Sequence, residues 1–262
     1  MTGRYLGTVG FKHRSALKLL TLVNGKTPKG EQAGYLSAIL YLMPHSSGGG
    51  ADMCPHSTGA CRSMCLSGSG LSGLPRATGA KQKCTDYFNR DRAGFIADLL
   101  SDIKRLQHIA AKEGLLPAVR LNGTSDYPWE RYIDMRSIPI RWYDYTKWPL
   151  ENRWRGNVGP GDYHLTYSVG GPQDMGRAIQ YLRHGQSVAI VTPEIVKHGL
   201  VGLEMDIGGG YAGSFEDGDE HDLRFLDPPA SIVLLKHKGH VVSDLSRPHV
   251  LNELRAAARM VA

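Results

Sequence analysis

Hydrophobic positions along the chain follow two rhythms. Short apolar runs of strand length occur at residues 35–43, ended by Pro44, and again at 117–123, 138–145, 187–192 and 231–236. Residues 163–168 alternate apolar and polar side chains, as a strand with two unlike faces does. Between these runs the apolar spacing becomes helical. Tyr87, Phe88, Phe95, Ile96, Leu99, Leu100, Ile103, Leu106 and Ile109 predict one long helix that opens at Cys84 and stops at Gly114. Shorter helices are predicted over 174–184 and 250–261. Residues 11–22 set basic against apolar positions at near-helical spacing, and Asn24-Gly25 and Pro28 stop that pattern. The Gly- and Ser-rich stretch 68–79 reads as a loop, and residues 124–130 read as a loop leading into a helix start.

Strands that alternate with helical or loop connections imply a mostly parallel sheet. The expectation is one α/β domain over residues 1–262, built as an incomplete TIM-like barrel of about six mostly parallel strands. Residues 1–34 form a lead-in, and residues 44–84 form a loop region directly after the first strand. Sheets of this kind place their chemistry beyond the C-terminal ends of the strands. Side chains at those ends therefore matter most.

The loop after the first predicted strand holds an unusual set. All four cysteines of the chain fall between positions 54 and 84, three of them in Cys54-x6-Cys61-x3-Cys65 and the last at Cys84. Cysteines used only for packing would be scattered. The first ten residues lack an apolar leader core, which favours a reducing cytoplasm, where clustered thiols bind metal or do redox chemistry more often than they pair. Structural zinc sites usually take two knuckles of the C-x2-4-C kind. Three thiols in one short flexible loop suit a [4Fe-4S] cluster better. Cys54, Cys61, Cys65 and Cys84 are the candidate ligands.

Further candidates stand at the other strand ends. Asp126, Asp144, His164, Asp219 and His221 are the titratable groups suited to acid–base work, and Arg120, Asn122, Ser125 and Lys147 are suited to holding a substrate with an anionic group. Each also has a plainer reading. Asp126 and Asp144 are placed to cap backbone groups, His164 to be a hydrogen-bonded histidine of a strand, and the run 217–222 to be a solvated acidic turn. The formal charge of +6 is compatible with nucleic acid as a partner, although the basic residues are dispersed rather than run together. No apolar run is long enough to span a bilayer, so no membrane role is expected.

Several blocks also carry a family resemblance. Cys54-Pro-x5-Cys61-x3-Cys65, the run from Ala118 to Asp126 with Trp129-Glu130, Tyr143-Asp-Tyr-Thr-Lys147, Tyr163-His-Leu-Thr166 and the run from Asp217 to Asp227 together resemble the phage gene-product-88 family. That resemblance implies a bacteriophage protein acting in the cytoplasm of an infected bacterium, with a cysteine-ligated cluster. It covers the first three cysteines and leaves the part of Cys84 open. The three-cysteine loop after a first strand is also similar to that of radical SAM enzymes, whose signature is C-x3-C-x2-C rather than the spacing found here.

The part of Cys84 divides the functional readings. With three protein ligands, one iron is open, and the favoured reading is a hydrolytic metalloenzyme using that iron as a Lewis acid at the mouth of the barrel. A radical SAM enzyme, with S-adenosylmethionine as the less favoured second cofactor, is the alternative. With four ligands the cluster is saturated, which fits electron transfer or a structural cluster in a nucleic-acid-binding protein.

Overall fold

The structure is a computed structural model and describes residues 17–22, 27–63, 65–68, 70–153, 162–192, 199–207 and 212–236. In chain order the strands are β1 (Leu20–Thr21), β2 (Tyr35–Leu40), β3 (Leu116–Arg120), β4 (Arg141–Thr146), β5 (Tyr163–Ser168), β6 (Val188–Thr192), β7 (Glu204–Asp206), β8 (Ala212–Asp217) and β9 (Ile232–Lys236). The helices are α1 (Thr27–Gln32), α2 (Gly59–Ser63), α3 (Pro75–Arg90), α4 (Arg92–Glu113), α5 (Leu150–Arg153) and α6 (Met175–Arg183).

These strands form one sheet in the order β1-β2-β3-β4-β5-β6-β9-β8-β7. The seven from β2 to β8 in that order run parallel, while β1 and β7 are short antiparallel edge strands. Among the described residues the two edges do not pair with each other, so the sheet is open. The expected mixed α/β class and mostly parallel sheet are present. The strand count is nine rather than about six, and the predicted first strand is β2.

The sheet buries two unlike faces. On one, Leu36, Ala38 and Leu40 of β2, Val119 of β3, Leu165 of β5 and Ile190 of β6 join the main core with α3, α4 and α6. Helix α4 contributes Phe95, Leu99, Ile103, Leu106 and Ala110 at three- and four-residue intervals, which puts them on one side. The other face carries Ala118, Tyr143 and Tyr35, which pack with Leu223 and Phe225. Ring contacts of Phe225 with Tyr35 at 5.0 Å and Tyr143 at 5.5 Å fix that cover.

Three local expectations need correction. The predicted single helix from Cys84 to Gly114 is two helices. Asp91 ends α3 and caps α4 through its Oδ1, which accepts the Gly94 N–H at 2.9 Å, and Gly114 closes α4 in the left-handed region at φ 68°. Cys84 accordingly lies inside α3 rather than opening it. Residues 66–68 and 70–73 form 3-10 turns, and α3 begins at Pro75, so only part of 68–79 is loop. Leu20–Thr21 is a strand where a helix was expected. It is tethered by the buried Asp102 of α4, whose carboxylate accepts the backbone N–H groups of Lys18, Leu19 and Leu20 at 3.0, 2.6 and 3.1 Å. Within the expected lead-in, Pro28 falls in the first turn of α1, where proline is tolerated. The helix predicted over 250–261 and residues 11–16 of the one over 11–22 lie outside the described residues. Among the described residues no helix is long and apolar enough to cross a membrane.

Candidate functional site

The cysteine loop leaves the C-terminal end of β2 and lies against the loop that leaves β3. Gly123 N donates to Leu40 O at 2.9 Å, Thr124 Oγ1 to Leu42 O at 2.5 Å, and Asp126 N to Met53 O at 2.7 Å. Its far side is tied to α3, where Thr85 Oγ1 accepts Met43 N at 2.8 Å, and Gln82 and Asn89 donate to the carbonyls of Gly48 and Gly49. Gly48, Gly49 and Gly50 line an open depression of about 480 Å³ with Asp86, Asn89 and Arg90.

Within the loop, Cys54 N donates to Asp52 Oδ1 at 2.8 Å and Cys61 N to Thr58 Oγ1 at 3.1 Å, so Thr58 caps the short helix that carries Cys61. All four cysteines are free and half-buried. Cys54, Cys61 and Cys65 act on one another electrostatically, and Asp126 acts on Cys54 and Cys61. Burial pushes the Cys54 thiol up to about 12 and raises that of Cys61, against the pull of the Lys147 ammonium on Cys61. Cys84 is different. It packs against the main core, burial pushes it up to about 11, and the charge acting on it is that of Asp102.

Asp126 and Lys147 form the floor beside these thiols. Lys147 N donates to Asp126 Oδ2 at 2.7 Å, and Trp148 Nε1 donates to the Asp126 carbonyl at 2.9 Å. Lys147 Nζ donates to the carbonyl of Ser168 at 2.5 Å. Gly170 makes room for this arrangement. A Cβ there would lie 3.0 Å from Asp174 Oδ2, 3.0 Å from Lys147 Nζ and 3.1 Å from Thr58 Oγ1. Three polar groups from the cysteine loop, the β4 end and the start of α6 thus meet over a residue without a side chain.

Beneath the floor lies a buried ionic network. Arg153 donates from Nε to Glu130 Oε1 at 2.7 Å, and from Nη1 to Asp126 Oδ1 at 3.1 Å and Thr146 Oγ1 at 2.7 Å. Burial raises the Asp126 carboxyl, opposed chiefly by this guanidinium. Asp144 sits where the β3–β4 ladder ends and accepts the backbone N–H groups of Leu121 and Asn122 at 3.1 and 2.8 Å and the Tyr163 hydroxyl at 2.5 Å. Burial pushes its carboxyl up to about 7, against the pull of Arg120 and these donors. Asn122 has a positioning role. Its Oδ1 accepts Ser125 Oγ, Tyr127 N and Trp129 Nε1, which shapes the turn that delivers Asp126.

The remaining predicted residues gather on the other face of the sheet. Arg120 Nη1 donates to Asp222 Oδ2 at 2.7 Å, and its guanidinium lies 4.7 Å from the Tyr145 ring. Burial and the neighbouring Arg224 hold His164 down at about 4. His221 Nδ1 is 2.9 Å from Arg224 Nη2. Asp219 Oδ2 accepts Lys236 N at 3.0 Å, so this side chain fastens a turn to the end of β9. Of the sequence candidates, the structure brings Asp126 near Cys54 and Cys61 and Lys147 near Cys61, with Asn122, Ser125 and Asp144 supporting the turn and strand end that carry them.

Three contributors were not visible from sequence. Arg153 ends the four-residue helix α5, which no apolar spacing announces, and it stands in no motif. His56 packs its ring 4.3 Å from that of Trp148 and is held below its usual value by burial. Thr58 carried a weak signal, being a threonine directly before a glycine-initiated turn.

Three thiols of one loop are donors of the kind a soft metal takes, and burial disfavours the thiolate at Cys54 and Cys61 until a cation or a positive neighbour stabilises it. Among the described residues no three His, Cys, Asp or Glu side chains stand close enough together to hold a metal ion as they are. Neither the curated proteins nor the solved structures provide a match to this chain. The family model for gene product 88 matches residues 17–259, nearly the whole chain, and the chain belongs to that family.

Proposed function

We propose that this is a bacteriophage enzyme of the host cytoplasm in which Cys54, Cys61 and Cys65 hold an iron–sulfur cluster and a small anionic substrate is hydrolysed beside it. The observation that carries the reading is that Asp126 and Lys147, joined by a 2.7 Å hydrogen bond at the C-terminal end of a parallel sheet, act on thiols of the cysteine loop, Asp126 on Cys54 and Cys61 and Lys147 on Cys61. Seven contiguous parallel strands are compatible with an incomplete, radical-SAM-like barrel around that mouth. When bound, a cluster with one iron free of protein ligands supplies a Lewis acid.

The chain's own residues do the rest. Lys147, fixed by the Ser168 carbonyl, offers its ammonium to the substrate anion. Asp126, oriented by Arg153 and by the Lys147 backbone N–H, is the carboxylate placed to take a proton from the attacking water. His56 and Trp148 wall the site. Asp144 and Glu130 hold the floor through Leu121, Asn122 and Arg153. The saturated alternative would need Cys84 as the fourth ligand. Its packing within α3 next to Asp102 speaks for the three-cysteine site.

Anaerobic purification with iron, sulfide and zinc quantitation and EPR tests this on the wild type, Cys61→Ala and Cys84→Ala. About four irons and four sulfides per chain in the wild type and in Cys84→Ala, and loss of them in Cys61→Ala, is the expected result. Zinc, or no metal, in the wild type overturns the reading. Reductive release of 5′-deoxyadenosine from S-adenosylmethionine would replace hydrolysis with radical chemistry, and steeply salt-dependent DNA binding without turnover would indicate a nucleic-acid-binding protein.

A further inference from the structure

The turn that begins at Cys65 is built inside out. Leu66, Leu71 and Leu74 are 56%, 83% and 51% exposed, while Ser67 between them is buried. The hydrophobic effect alone would turn the leucines inward and the serine outward. The cause of the inversion is Lys81 of α3, which is 3% exposed. Its ammonium donates to the carbonyl of Ser67 at 2.9 Å and its Oγ at 2.5 Å, and to the carbonyl of Ser72 at 2.9 Å and its Oγ at 3.1 Å. A buried ammonium normally has a carboxylate partner. Here four neutral oxygens surround it, and the ionisable group acting on it is the thiol of Cys65. Cys65 is also joined to the clamped turn through its carbonyl, which accepts Gly68 N at 3.1 Å.

We infer that Lys81 is the positioning residue of the cysteine site: its buried ammonium gathers the turns at 65–68 and 70–74 around itself and so sets the position of Cys65 in the site. The inference deepens the proposed cluster site and rests on it only for the identity of what Cys65 binds. Lysine suits the task because its three protons spread over oxygens from two turns, while its stem stays in the apolar side of α3.

The test compares Lys81→Met, Lys81→Arg and the double variant Ser67→Ala/Ser72→Ala in the full chain. Hydrogen exchange of peptides spanning 65–74 and of α4 is measured with and without metal, together with iron content. In Lys81→Met the 65–74 amides should exchange at least about tenfold faster with α4 unchanged, and iron content should fall by more than half. Lys81→Arg should restore most of both. If Lys81→Met does not fold, the double variant carries the test, with a smaller rise in exchange confined to the same peptides. Wild-type exchange over 65–74 in a folded Lys81→Met, or full iron content with the segment loosened, overturns the inference. A wild type that binds no iron defeats the cluster reading alone, and the exchange data then still decide whether Lys81 holds the segment.

Discussion

Arg153 and Glu130 are joined by a hydrogen bond of 2.7 Å between side chains that are 0% and 1% exposed. They lie on elements separated by β4, and the same guanidinium reaches Asp126 and Thr146. One buried cation therefore sets the orientation of the carboxylate that borders the cysteine loop. Replacing it should be costly in a specific way. Arg153→Met leaves Glu130 and Asp126 buried without their counter-charge and should destabilise by roughly 3–5 kcal/mol. Adding Glu130→Gln should recover part of that loss. Urea denaturation of the single and double variants checks it, and equal stability of Arg153→Met and wild type would refute the network's role.

Two buried groups give opposite pH dependence. His164 has its folded value lowered from 6.5 to about 4, so between these pH values the unfolded chain holds more protons. Its contribution is complete above pH 6.5 and declines as pH falls toward 4, by on the order of 3 kcal/mol. Asp144 has its folded value raised from 3.8 to about 7, so its contribution is complete below pH 3.8 and is lost as pH rises toward 7. The two offset each other across this window in the wild type. Stability of Asp144→Asn should therefore rise with pH from 4.5 to 6.5 and that of His164→Phe should fall, at roughly 1 kcal/mol per pH unit. Parallel stability curves for all three proteins would show that neither group titrates as described.

Gly170→Ala tests the close approach at the site. The new methyl would press on Lys147 Nζ and Asp174 Oδ2, each already bound to the backbone of residues 168–170 and unable to retreat freely. A loss of roughly 1–3 kcal/mol is expected, with looser binding of whatever the cysteine loop holds. Denaturation midpoints and iron content per chain are the measurements. A variant as stable and as metal-loaded as wild type would mean the three polar groups have room to spare.

The cysteines should divide three to one in reactivity. In metal-free protein, a bound soft metal added back should protect Cys54, Cys61 and Cys65 from alkylation together, by about tenfold or more, and leave Cys84 at its original rate. Peptide mass spectrometry after iodoacetamide treatment reads all four at once. Protection of Cys84 alongside the others would move it into the site.

Much of the layout was legible before any coordinates. The apolar runs at 35–43, 138–145 and 231–236 became strands because a strand in a parallel sheet is covered on both faces and has few sites for polar side chains. Strands β7 and β8 were missed because Glu204, Asp206, Ser214, Glu216 and Asp217 give them the polarity of a turn, and what makes them strands is pairing, of β7 with β8 and of β8 with β9. The α3–α4 break was hidden because Asp91 acts as a cap without any glycine or proline directly beside it.

The sequence by itself determined the α/β class, the family and the association of three thiols with a loop at a strand's end. These follow from residue type and spacing, which are local properties. Only the tertiary structure decided which charged groups share that end. Asp126 comes near Cys54 and Cys61 and Lys147 near Cys61, while Arg120, His164 and His221 gather on the other face of the sheet. For Arg120 and His164 the reason is strand alternation, since neighbours along a strand face opposite sides of the sheet, while Asp126, Lys147 and His221 lie in loops whose course long-range contacts set. The structure also made Arg153 the hub of the floor and Lys81 the centre of an inverted loop. A buried cation takes its partners from wherever the fold brings oxygen atoms, and no spacing along the chain encodes that.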